Sequence, residues 1–197
     1  MKNRALLEHM TVVANRHKVL MDAAILIKDD KIEDIYMNRY EKRLSDDIKR
    51  IDCSGLIAMP AYVDKIEGAI MPFIYQTYLD VANPGDESLM YLNHNLAVKL
   101  DVFKFDRAYL AFVLKNLYQS QVILDPDEHD IPSQMAYLHS LSFSLCDIAA
   151  YSSLNYLEYQ NKDQLVGNLQ KGKEASFDLY NKDLKLITKI RKGKIHA

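Results

Sequence analysis

Near both ends of the chain, apolar positions come in short runs broken by charged turns, whereas in between they recur at helical spacing. Ala23-Ala24-Ile25-Leu26-Ile27-Lys28 predicts a strand, Asp29-Asp30 a tight turn, and Lys31-Ile32-Glu33-Asp34-Ile35-Tyr36 the returning strand. Aspartate tolerates the left-handed conformations of such a turn. A second strand pair is expected across Lys49–Asp52 and Leu56–Met59, with Ser54-Gly55 turning between them. From about residue 64 to 160 the apolar positions follow a helical period: Leu89, Leu92 and Leu96; Tyr109, Phe112, Val113 and Leu117; Leu138, Leu141, Leu145, Ile148, Ala149 and Leu157. Asn83-Pro84-Gly85-Asp86 reads as a turn ahead of the first helix, and Ser133 after Pro132 as an N-cap. Two to four packed helices are predicted. Past Gly167 alternation returns, with Phe177 and Leu179 on one face of a strand, then Leu184, Leu186, Thr188 and Ile190 opposite Lys185, Ile187, Lys189 and Arg191. Lys192-Gly193 turns the chain into a short last strand, Lys194–His196.

Composition narrows the class. A hydrophobic content of 49% and a charged content of 26% over 197 residues describe an ordinary folded protein. A net charge of −2 gives no electrostatic reason to bind nucleic acid or an anionic membrane. The basic residues of the last strands alternate with Ile and Leu, as on a solvated strand face. Cys53 and Cys146 show neither metal-ligand nor redox spacing, and are expected to be reduced and buried in a cytoplasmic protein. The N-terminus does not read as a signal peptide, and no run approaches the ~18–20 apolar residues of a membrane span.

One stretch is more specific. Ile51-Asp52-Cys53-Ser54-Gly55-Leu56-Ile57-Ala58-Met59-Pro60-Ala61-Tyr62-Val63-Asp64 resembles the amidohydrolase-superfamily segment I-D-x-x-G-x-x-x-x-P-G-[FY]-[VI]-D-x-H-x-H. The opening Ile25–Ile35 is similar to that family's "vlIkdGkIxxI", with Asp30 in place of Gly. Gly167-Asn168-Leu169-Gln170-Lys171-Gly172-Lys173-Glu174-Ala175 is similar to its closing G-x-L-x-x-G-K-x-A-D, with Ser176 at the Asp position, and Lys192-Gly193-Lys194 fits the final turn. Asn93–Asp125 weakly resembles the segment after the first barrel strand in the chlorohydrolase and adenosine-type deaminase branch; it equally fits an amphipathic helix followed by a strand.

The resemblance implies an α+β fold. A small β-sandwich would be built from residues 1–63 and 167–197, with a mainly helical subdomain at 64–166 left from a truncated (β/α)₈ barrel. A whole barrel needs about 250 residues, so the barrel strands bearing the later metal-binding histidines and catalytic aspartate are expected to be missing. The two HxH positions are Ile66 and Gly68, neither able to ligate a cation. Asp64 is expected to bond local backbone, Glu67 to point away from the old site, and Lys173 to be structural. The histidines (His9, His17, His94, His129, His139, His196) form no HxH or HExxH pair.

Asp125-Pro126-Asp127-Glu128-His129-Asp130 is the one dense cluster of ligand-type residues. It reads either as a divalent-cation loop or as an acidic lead-in favoured at a helix N-terminus. No catalytic, cofactor-binding or metal residue is assigned, and no cofactor. The expected protein is a catalytically inactive, homodimeric amidohydrolase-like protein with a binding or structural role and an unidentified ligand. The alternative is a metal-dependent hydrolase of non-peptide C–N bonds, its site rebuilt from His94, His129, Asp125 or His139.

Overall fold

The computed structural model describes residues 4–40, 44, 48–67, 71–72, 97–116 and 121–196. The expected helix around Leu89–Leu96, the Asn83–Asp86 turn, Gly68 and His94 lie outside them.

Eight strands from the two ends of the chain form one mixed sheet: β1 (Arg4–Asn15), β2 (Lys18–Lys28), β3 (Lys31–Met37), β4 (Lys49–Asp52), β5 (Ile57–Pro60), β9 (Phe177–Tyr180), β10 (Leu186–Arg191) and β11 (Lys194–His196). The order is β11-β10-β9-β5-β1-β2-β3, with β4 beside β1. The hairpin at Asp29-Asp30 forms as expected, Asp29 taking φ 57°. The strands at 49–52 and 57–60 also form, but not as a hairpin. Both run parallel to β1, β4 along Ala5–Glu8 and β5 along Thr11–Val12. The Ser54-Gly55 turn carries the chain onward along the same neighbour instead of reversing it.

Irregularities in the β1–β2 pairing fall at Leu7/Met10 and Met10/Val12, where His9 (φ 62°) and Asp22 (φ 45°) are left-handed. Such bulges bend and twist a sheet. Beyond them β3 closes onto the segment before β9: Ile32 N donates to Lys173 O, Gly172 N to Ile32 O, and Ala175 N to Asp30 O. The folded sheet encloses a core in which Leu7, Val12, Ile25 and Ile32 meet Phe177, Leu179 and Ile190. Cys53 belongs to this core, and burial pushes its thiol up to about 11, with Asp52 adding to the effect. Cys146 is only half buried.

The described residues of the inserted region include helices and a second, parallel sheet of β6 (Met71–Pro72), β7 (Ala97–Leu100) and β8 (Gln121–Leu124). Between β7 and β8 runs α1 (Arg107–Asn116), as a parallel crossover requires. Then follow α2 (Ile131–Ser140), α3 (Leu145–Ala149), a π-helical turn (Ala150–Leu154) and α4 (Asn155–Tyr159). The start of α2 corrects the expectation at Ser133. Asp130 is the N-cap, its carboxylate accepting from Ser133 N at 2.9 Å. Pro132 thus falls in the first turn, where its missing N–H costs nothing. One apolar cluster ties the two parts together: Val13, Met59 and Tyr180 of the large sheet pack with Leu100, Val122, Leu110, Met135 and Ile148. Among the described residues no helix is long and apolar enough to cross a membrane.

Candidate functional site

The segment after β5, which carries the family-like motif, is fastened to the π-helical turn and α4. Ser153 Oγ donates to Ala61 O (2.7 Å), Val63 N to Ser152 O (3.0 Å), and Glu67 N to the Tyr156 hydroxyl (2.8 Å). Gln160 Nε2 reaches Glu67 O at 3.0 Å. Ile66, at the first lost ligand position, packs against the Ile123–Tyr156 cluster, as do Val63 and Ala97. Asp64 and Glu67 are exposed. Lys173 is structural as expected, its ammonium held by the Asp163 carbonyl.

The acidic loop ends up at the C-terminal ends of β7 and β8, the face where loops of parallel sheets converge. Because β7 and β8 pair Leu100 with Leu124, Asp101 is delivered next to residues 125–130. Asp125 does not face His129. Lys99 Nζ lies 3.4 Å from Asp125 Oδ1 and 2.7 Å from Asp127 Oδ2. The Asp127 hydrogen bond leads in raising the Lys99 pKa, and Lys99 in turn lowers that of Asp127. Of the proposed ligands, His139 turns to Lys182 O at 3.1 Å. Among the described candidates His129 meets carboxylates: its Nδ1 is 2.9 Å from Asp101 Oδ2, and Asp101, Glu128 and His129 each offer a ligand atom within 4.8 Å of the others. Asp101 was not singled out from sequence, and only the strand pairing reveals it.

Gln134 holds these two loops in place. Fully buried, it accepts from Val102 N (3.3 Å) and donates to Asp125 O and to His129 O (2.9 Å). Gln134→Ala is expected to destabilise the fold by about 2 kcal/mol, since the freed backbone groups lose their partners. Hydrogen exchange should show the 101–102 and 125–129 amides losing protection before the large sheet does. Uniform loss across the chain would contradict a local clamp.

No family model matches the sequence, and no curated protein matches it. Solved structures do. The chain is similar to N-acetyl-D-glucosamine-6-phosphate deacetylase from Mycobacterium smegmatis with a TM-score of 0.67 at 9% identity, covering 98% of this chain and 100% of that one. It is similar to β-aspartyl dipeptidase from Fervidobacterium islandicum AW-1 (TM-score 0.62, 8% identity, 99% and 96% covered) and to an amidohydrolase from Thermotoga maritima MSB8 (0.62, 9%, 98% and 99%). The chain thus shares its fold with these structures, in line with the resemblance its motifs carry. At such identities the likeness shows the fold alone, and activity must be argued from the side chains.

Proposed function

We propose that this is an amidohydrolase-like binding or scaffolding protein without hydrolytic activity, built on the terminal sheet domain (1–63 and 167–197) and a remnant of the barrel (64–166). The observation that carries this reading is Ile66. At the position where the resemblance calls for a metal-binding histidine, an aliphatic side chain packs against Ile123 and Tyr156. A hydrolytic metal centre needs at least three converging N or O ligands with an open position, and the motif segment supplies none at Ile66. The parallel β6–β7–β8 sheet supports the barrel-remnant reading.

Homodimerisation is the proposed means of covering apolar surface left by the lost barrel strands. Val19 and Met21 are exposed on the part of β2 that lies before its pairing with β3. The purified protein, with and without added zinc or manganese, is expected to hydrolyse no amide, cyclic amidine or aminopurine above the buffer rate, and light scattering should give the mass of two chains. Turnover that depends on the metal would overturn the inactive reading, and a monomeric mass the dimer.

A further inference from the structure

We propose that Asp101, Glu128 and His129 form a site for one divalent transition cation of the zinc class, separate from the lost motif position at Ile66. The donors are mixed, one imidazole nitrogen and two carboxylates, the set that suits zinc or manganese over calcium or copper(I). They come from two loops that the strand pairing and Gln134 hold face to face. Their ligand atoms lie within 4.8 Å of one another, and bonds of about 2.0–2.2 Å to one ion would draw them closer and replace the His129–Asp101 hydrogen bond.

An independent observation concerns charge. The Asp101 side chain is 2% exposed, yet its ion-pair partner is His129, an imidazole that is charged only when protonated. Phe103 N donates to the other carboxylate oxygen at 3.0 Å. A carboxylate this buried normally bonds a permanent cation or a metal, and the Lys104 ammonium acts on Asp101 only from beyond ion-pair distance. Its neighbour on the solvent side, Glu128, is engaged instead by Lys104 Nζ at 3.0 Å, where both side chains are more than half exposed. Lys104 therefore stands where it competes with an incoming cation and is free to swing away. His129 also lies against Phe103, ring centroids 4.7 Å apart, which limits the directions its nitrogens can face. Three protein donors leave a coordination position open to water.

The test is zinc titration of the full chain by calorimetry, with cobalt(II) absorption as a second readout. Saturation is expected at one ion per chain, with cobalt bands of a low-coordinate N/O site. His129→Ala and Glu128→Gln, each on an exposed residue, should weaken binding by more than the ~10–100-fold typical of an outer-shell change. Lys104→Gln should tighten it by up to about fivefold, the weight of an exposed ion pair. A purely structural His–Asp pair would hold no ion for Lys104→Gln to tighten. Absence of one-to-one binding overturns the site, as does binding unchanged in both His129→Ala and Glu128→Gln. Zinc bound without hydrolysis leaves the inactive reading intact; zinc bound with hydrolysis supports this site and overturns that reading.

Discussion

Gly193→Ala is expected to destabilise the fold by about 3–5 kcal/mol, combining backbone strain with overpacking. Gly193 has φ +73°, and a Cβ added there would lie 2.0 Å from the Asp29 carbonyl oxygen and 3.1 Å from Ile27 Cγ2. The obstacle is backbone, so a side-chain rotation cannot relieve it. The two turns involved, Asp29-Asp30 and Lys192-Gly193, join the start and the end of the chain, and Gly193 N donates to Ala175 O at 2.9 Å. At roughly 2–4 °C per kcal/mol for a chain of this size, thermal unfolding should shift by on the order of 10 °C. Gly55→Ala is the matched control. Its φ is +78°, but nothing lies within 4 Å of the added atom, so about 1 kcal/mol of left-handed strain is all it should show. Equal losses at the two positions would mean that the Asp29 contact has no energetic weight.

Arg191→Met should cost a similar ~3–5 kcal/mol at neutral pH by leaving a carboxylate alone in the interior. Asp178 is fully buried; Arg191 donates to its Oδ1 at 2.5 Å and Tyr62 N to its Oδ2 at 3.2 Å. Burial is the largest influence and holds the Asp178 carboxyl above its ordinary value of 3.8, while Arg191 pulls it back down. Removing Arg191 therefore raises it further. A carboxyl raised on folding binds its proton more tightly folded than unfolded. Its unfavourable contribution is absent below the ordinary value and grows as pH rises through the folded one. The difference between variant and natural protein, measured by urea unfolding, should be smallest near pH ~4 and full at neutrality. Arg191→Met combined with Asp178→Asn should recover much of the loss. A difference that stays flat with pH would show that Arg191 acts through its carbonyl contacts to Phe177 and Ile190 rather than through charge.

Legibility in the sequence followed how local each cause was. The Asp29-Asp30 hairpin and the last strands were readable because their alternation and turn residues are adjacent in the chain. β1 is not legible in sequence, for its bulges at His9 and Met10–Val12 interrupt the two-residue period and its apolar residues come in doublets, Leu6-Leu7 and Val12-Val13. The β4–β5 pair reads as a hairpin in sequence because a Ser-Gly turn reverses a chain or steps it along a third strand with the same residues. Only β1, more than 30 residues earlier, decides which. Four-residue β7 was lost within a helical period. The candidate site was half visible: Glu128 and His129 stood out in an acidic run, but Asp101 joins them only through the parallel register of β7 and β8.

The pairing of β5 with β9 has a consequence for how the protein is made. Ala58 and Met59 are fully buried, yet their partners Leu179 and Asp178 are translated only after the whole inserted region. At ~5–20 residues per second, a ribosome leaves that edge of the sheet bare for on the order of ten seconds. A nascent chain arrested before Phe177 should therefore occupy chaperones, and release of the last strands is the event that ends its dependence on them.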